Sequence, residues 1–514
     1  MIRILIAFFI LCSPAFGATY YIDFTAGDDS RTSVQAQSTS TPWKHCRGMS
    51  GATGNAASYS VQAGDTFVFK GGETWPEASL PLDIPTSGSD LSSNAITYTA
   101  DETWYTGGSF VQPKFDQEDM ASENGAIKTN AKDYIIIDNI HIESDDADTG
   151  SYGIWVETNS DYITIQNCLI YPTNYGIELK GEYISGGRIT NIVIDNVTIH
   201  EIWHEGIRAR WGMDNITIKN SLIYDGNHTG ADGIQFAPSA QSGYPHAVGV
   251  TIQDNNIHDF PYKGCILVSA DDVVVERNLI WNDGTSYTTA SWGLLGFVGV
   301  YGTTTGTVFI ARNNVLYGQT HFGGLLRMHH DCASEPICSV SGVKIYNNSF
   351  YGTGNADDDE ASCIKIAENN GTDWQNVEIK NNIFHTGSNT ERVISFTSAN
   401  TTSGAVISNN VYYYGSENLP FEWEGTQYNY ADWVTQTGDT GSVNNSDPAY
   451  VNPGYLSSSD FTITTDSPAI NAGATLSGFS DDKVGVSRPE GVAWDIGAYE
   501  FGTPTNAITG VNIN

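Results

Sequence analysis

The sequence predicts an all-β fold: a single-stranded right-handed parallel β-helix, a solenoid, with N- and C-terminal caps. Three observations predict it. An apolar residue, a spacer, an isoleucine, a spacer and an asparagine recur seven times, ending at Asn139, Asn167, Asn196, Asn220, Asn347, Asn381 and Asn409. Inside each phrase the residues alternate with period two, as strands do. Successive phrases within the two groups lie 28, 29, 24, 34 and 28 residues apart. That is the size of a repeat that buries its inner face only by stacking on the next. Between Asn220 and Asn347 lie 127 residues, room for about four more turns, with Asp254 in the asparagine's place in one. An amide at a sharp turn can bond the backbone and its equivalents above and below.

The elements follow in order. Arg3, the apolar run at residues 4–11, Ser13-Pro14 and Ala15-Phe16-Gly17 have the form of an export signal cleaved after Gly17. The run is too short to span a bilayer, and no later segment reads as transmembrane. The expected location is therefore secreted, extracellular or periplasmic. Residues 18–125 lack the asparagine phrase and form an N-terminal cap region. The coils occupy residues 126–415, a C-terminal cap 416–502, and a polar, mobile tail 503–514. In each coil one strand ends at the asparagine, a second follows ("VTIH", "SLIY"), and a third opens with glycine ("GIWV", "GIEL", "GIRA", "GIQF", "GCILV"). Loop length varies most before the glycine strand, which is where a site is expected.

Composition narrows the partners. The chain has 59 acidic and 23 basic residues, a net charge of −36. Nucleic acid and anionic membranes are disfavoured, and a local basic strip is needed to hold an anionic polymer. The chain is expected to act as a monomer. Cys332 and Cys338 bracket a short loop and are expected to pair in an exported protein, whereas Cys265 and Cys363 read as core thiols.

Histidines divide by register. Tyr171, His200, Tyr224, His258, Trp281, Tyr317, Tyr351 and His385 share one position and form a ladder of stacked rings, so His200, His258 and His385 are structural. His204, His228, His329 and His330 fall outside it.

With the isoleucine of each glycine strand facing inward, the outward column reads Trp155, Glu178, Arg208 and Gln235. Glu157, Lys180 and Arg210 lie beside it, and Arg327, His329 and Lys365 face the same way further along. The residue before the glycine gives a second column: Tyr152, Tyr175, Glu205, Asp232 and Lys263. Glu205, Asp232 and Lys263 then become neighbours, with His204 and His228 nearby, and would perturb one another's ionisation. Acidic runs (Asp145-Asp146-Ala147-Asp148, and Asp357 to Glu360) and Asp481-Asp482 are oxygen-rich. Calcium is the cofactor they could hold, no other is expected, and no metal ligands are assigned.

The segments "YYIDFTAGDDS", "TPWKHCRGM", "AGDTFVFKGGETW" and "NAITYTA", with "DFTITTDSPAINAG", "RPEG" and "DIGAYEF" near the end, carry a resemblance. The chain resembles secreted bacterial right-handed parallel β-helix proteins of the pectate lyase-like superfamily, which includes chondroitinase B and alginate lyases. The resemblance implies a polysaccharide lyase acting on an anionic, uronic-acid-containing polymer, sulfated or not, by β-elimination. Arg208 and Arg210 would bind the carboxylate, aided or not by calcium. Lys263 or His228 would be the base, Asp232 would orient His228 or hold a metal, and Glu205 completes the catalytic set. Lys180, Arg210, Gln235, Glu178, His204, Trp155, Arg327 and His329 would bind substrate. The alternatives are a glycoside hydrolase using Asp232 and Glu205, and a non-catalytic carbohydrate binder or adhesin stacking sugars on Trp155, Trp203, Trp211 and Tyr175.

Overall fold

The computed structural model describes residues 17–118, 124–144, 150–182, 187–226, 230–237, 246–260, 264–282, 293–299, 308–318, 323–329, 339–353, 361–367, 373–387, 392–453 and 458–502. His228, Lys263, His330, Cys332, Cys338 and both acidic runs lie outside them, as do residues 1–16 of the export signal and the tail.

Among the described residues the chain winds as a three-sided solenoid. Three long sheets carry 13, 13 and 12 strands, and within each sheet neighbouring strands come from successive coils. Pairing is parallel throughout these sheets except for the final hairpin of Phe421–Trp423 with Thr426–Tyr428. The parallel β-helix implied by the sequence is therefore the architecture observed.

The repeated isoleucine stacks as expected. Ile137, Ile165, Ile194, Ile218 and Ile252 are register partners on successive coils, and the column continues through Val275 and Ala311 to Ile345, Ile379 and Ile407. All are buried. Each buried isoleucine contributes roughly 1.5–3 kcal/mol, and none could be buried by an isolated coil.

The asparagine two residues on sits in the left-handed region, with φ between 51° and 58° from Asn139 to Asn409. Asparagine tolerates that conformation better than most residues. Four coils fill the interval from Asn220 to Asn347, turning at Asp254, Arg277, Asn313 and Asn347. The turn side chains bond between coils; Asn196 Nδ2 donates to Asn167 Oδ1 at 2.7 Å.

A second ladder runs one residue further on and is fully internal. Asn255, Asn278, Asn314, Asn348, Asn382 and Asn410 are buried. Each of the first five donates its backbone N–H and its Nδ2 to the Oδ1 of the next, at 2.9–3.2 Å. Ser221 begins the row and Ser442 Oγ ends it.

The ring ladder stands on the second sheet. Tyr171 stacks on His200 at 3.9 Å, and His258 on Trp281 at 4.0 Å. Tyr351 stacks on His385 at 4.2 Å. His141 below and Tyr413 above extend it. The C-terminal segment folds back along the turn column. Asn347 and Asn381 donate to the carbonyls of Asp495 and Ala474, and Arg488 donates to Asn313.

At the N-terminal end, Asp29 accepts from the backbone N–H groups of Lys44 and His45 and bonds His45 Nδ1 at 2.8 Å, while His45 Nε2 meets Ser79 Oγ at 3.1 Å. The order matches a serine–histidine–aspartate relay. With Ser79 only 3% exposed, however, the relay stitches three segments together rather than meeting solvent.

Candidate functional site

The third sheet is built on the glycine strands. At Gly153, Gly176, Gly206 and Gly233 a Cβ would run into the backbone carbonyl one coil on. Only glycine allows that approach, and it fixes the register of what flanks it. The isoleucines that follow point inward, so every second residue points out. Trp155, Glu178, Arg208 and Gln235 are successive register partners, as are Glu157, Lys180 and Arg210. The two expected outer columns exist.

The column before the glycine holds from Tyr152 to Tyr175 and from Glu205 to Asp232. It does not run on to Lys263. Asp232 pairs with Gly264, because the inward isoleucines, Ile234 and Ile266, set the pairing. The strand carrying Cys265 therefore slips by one residue relative to a reading anchored on its glycine. Lys263 lies outside the described residues.

Glu178 is the buried centre of the site, at 0% exposure. Arg208 Nε donates to its Oε2 and Arg210 Nε to its Oε1, each at 2.6 Å. Arg208 Nη2 also donates to Tyr152 Oη at 3.1 Å, and its guanidinium lies 3.8 Å above the Tyr175 ring. Burial works against the Arg208 charge, but the Glu178 carboxylate outweighs it and raises the guanidinium above its ordinary value. Burial pushes the phenols of Tyr152 and Tyr175 up, so both stay protonated.

Lys180 is held differently. Its ammonium lies 5.1 Å from the Trp155 ring and 5.9 Å from the Trp211 ring, and among the described residues it forms no ion pair. Lys128, the register partner of Trp155, approaches the same ring at 5.1 Å. A recess of about 400 Å³ opens here, lined by Asn130, Ala131, Trp155, Glu157, Thr158 and Lys180.

Glu205 and Asp232 sit side by side on adjacent strands, 7% and 0% exposed. Glu205 Oε2 is 3.9 Å from Arg208 Nη1, and Gln235 Nε2 donates to Asp232 Oδ2 at 2.5 Å. His204 stacks on Tyr175 at 4.9 Å. Glu178, Lys180, His204, Glu205, Arg208, Arg210, Trp155, Asp232 and Gln235 thus share one region.

Arg327 and Lys365 face outward in the same column as Gln235, with His329 in the column of Lys180, but Leu267 and Gly296 intervene. Four strand steps of about 4.8 Å place Arg327 about 19 Å from Arg208, so these three residues are a separate group. Lys128, Asn130 and Ala131 were not foreseen. "GAIK" carries the glycine-strand pattern in degenerate form, Ile127 inward and Lys128 outward, and is the signal that could have shown Lys128.

Among the described residues no group of three or more His, Cys, Asp or Glu side chains could hold a metal. Asp482 turns both oxygens to backbone N–H groups of Val484, Val486 and Glu500, and Asp481 lies 3.6 Å from Arg277. No helix among the described residues is long and apolar enough to cross a membrane.

No family model and no curated protein matches the chain. Solved structures similar to it include pectate lyase Pel9A, at 14% identity over 95% of this chain and 97% of that one, with a TM-score of 0.49. A rhamnogalacturonan lyase is 15% identical over 77% and 87%, TM-score 0.45. An alginate lyase from Paenibacillus sp. str. FPU-7 is 14% identical over 62% and 90%, TM-score 0.38. Likeness of this degree assigns the chain no activity and no substrate.

Proposed function

We propose that this protein is a secreted enzyme that binds an acidic, uronate-containing polysaccharide along the outer face of the glycine sheet and cleaves it by β-elimination. Lys180 carries the reading. In a chain with 59 acidic and 23 basic residues, its ammonium stands over two tryptophans with no ion pair among the described residues. A sugar ring stacks its C–H face on such an indole, and its carboxylate supplies the missing counter-ion. The strand-by-strand repeat of outward positions suits a polymer lying across the coils.

Elimination removes the proton on the carbon next to the carboxylate. The C–O bond one carbon further breaks, a double bond forms in conjugation with the carboxylate, and the leaving oxygen takes a proton. Lys180, with Arg208 and Arg210 fixed by Glu178, neutralises charge that builds on the carboxylate as the proton leaves. Tyr152 and Tyr175, protonated, are suited to donate to an oxygen. Lys263 or His228 is the proposed base; the two bracket the strand Asp232–Phe236 in sequence. With Asp232 at 0% exposure, its role is to position a neighbour.

A second reading is hydrolysis by the Glu205–Asp232 pair, which the register favours by placing both on adjacent strands. Their burial weighs against it, since little carboxylate oxygen faces the groove.

The test is incubation with a panel of uronate-containing and sulfated polysaccharides, with and without a calcium chelator. Ultraviolet absorbance from a conjugated unsaturated uronate supports elimination. New reducing ends without that absorbance overturn it in favour of hydrolysis. Binding without either leaves a carbohydrate-binding protein.

A further inference from the structure

A second recess, of about 460 Å³, lies between the Lys180 recess and the N-terminal end of the solenoid. Arg47, Met49, Asp83, Pro85 and Lys132 line it, and Asn130 borders both recesses. The divide between them is a two-residue ridge. Asn130 and Ala131 both adopt left-handed conformations, with φ of 50° and 55°.

That ridge is held from two sides. Glu157 Oε2 accepts from the Asn130 N–H at 2.8 Å, and Lys132 Nζ donates to the Asn130 carbonyl at 3.0 Å. Alanine pays about 1–2 kcal/mol for the left-handed conformation, with no side-chain bond to offset it. Strain of this kind persists where surroundings enforce it, often beside functional surfaces.

Charge points the same way. Among the described residues Lys132 forms no ion pair, and the Arg47 guanidinium donates to the Ala57 carbonyl and forms no ion pair. Asp83, the acid of the recess, is 3.7 Å from Lys128 on the adjacent strand. In a chain with a net charge of −36, Arg210, Lys180, Lys128, Lys132 and Arg47 thus mark a line of cations toward the N-terminal end. The strands from Glu205–Arg210 to Leu82–Asp83 are four steps apart, about 19 Å at about 4.8 Å per step.

We propose that the acidic chain continues from the Lys180 recess over the Asn130–Ala131 ridge, and that Arg47 and Lys132 form a remote subsite for the carboxylate of a second acidic sugar several units away. The inference rests on the proposed reading that the glycine-sheet face takes a uronate polymer. Its consequence is a preference for chains long enough to reach both recesses.

The test is kcat/KM for graded uronate oligosaccharides, shorter and longer than that span, with the full-length wild type and the Arg47→Ala/Lys132→Ala variant. Circular dichroism and urea unfolding confirm that the variant is folded. The expected result is a ratio of long-chain to short-chain kcat/KM that falls about tenfold, the loss of about 1.4 kcal/mol of remote binding. A ratio unmoved in a wild type that does cleave these chains overturns the subsite and leaves the functional reading standing. A wild type that neither binds nor cleaves any acidic oligosaccharide removes both.

Discussion

Replacing Glu178 with glutamine removes one negative charge, and almost no volume, from the centre of the site. The carboxylate is 0% exposed and binds two guanidiniums at 2.6 Å. Glutamine offers one acceptor oxygen, enough for Arg208 or Arg210, and turns its NH₂ group on the other. Among the described residues the displaced arginine has no equivalent partner: Glu205 Oε2 is 3.9 Å from Arg208 Nη1. Breaking a buried pair from one side costs about 3–5 kcal/mol. The arginine side chains are 12% and 22% exposed, so some solvent reaches them and the cost belongs at the lower end, about 3 kcal/mol. Urea unfolding followed by fluorescence reads that loss as a lower midpoint at unchanged slope. Adding Arg210→Gln should recover about 1–2 kcal/mol, because the second change removes the charge that the first left unpaired. Polymer affinity should fall in the single variant, since both guanidiniums lose their fixed direction. An unchanged midpoint together with unchanged affinity would refute the claim that Glu178 organises this face.

Further outcomes follow from the same geometry. Lys180→Ala should leave the unfolding free energy within about 0.5 kcal/mol of wild type yet weaken acidic-polymer binding about 10- to 100-fold, a loss of about 1.4–2.8 kcal/mol; isothermal titration at low and high salt checks it, and the salt dependence should shrink in the variant. Asn348→Ala should destabilise by roughly 2–6 kcal/mol, at about 1–3 kcal/mol per orphaned group, because the Asn314 N–H and the Ala311 carbonyl both lose their partners; Asn167→Ala, at an exposed turn, should cost about 1–2 kcal/mol. Burial holds the His385 imidazole down at about 4, against an ordinary 6.5. The unfolded chain therefore takes up the proton first on acidification. The stability from this residue is complete above pH 6.5 and is lost as pH falls toward 4, by roughly 3 kcal/mol. His385→Phe, which keeps a ring in the ladder, should flatten that pH dependence in thermal unfolding.

The solenoid was legible because stacking imposes identical demands on every coil. The inward isoleucine, the left-handed asparagine and the ring ladder each recur at one register, and each is visible as a repeated letter. The internal asparagine row was missed although doubled asparagines mark it at 313-314, 347-348, 381-382 and 409-410. One letter of each pair satisfies a turn and the other an interior bond, and spacing alone cannot divide those roles. The outer columns through Trp155, Glu178, Arg208 and Gln235 were legible for the same reason as the core, since outward is one residue from inward. The column before the glycine was not legible beyond Asp232, because isoleucine rather than glycine sets the pairing there and Asp232 meets Gly264. The Lys180 recess was not legible as a recess. Its walls come from Asn130, Thr158 and Lys180, on three different coils, and its ridge depends on backbone conformation at Asn130 and Ala131 that no side-chain pattern announces.

The most direct measurement is the crystal structure of this protein with a bound uronate oligosaccharide. The account predicts sugar density crossing the strands of the glycine sheet, with a ring against Trp155 and a carboxylate within hydrogen-bonding distance of Lys180 Nζ. Density lying along the ring ladder, or along the asparagine sheet, with the Lys180 recess empty would contradict it.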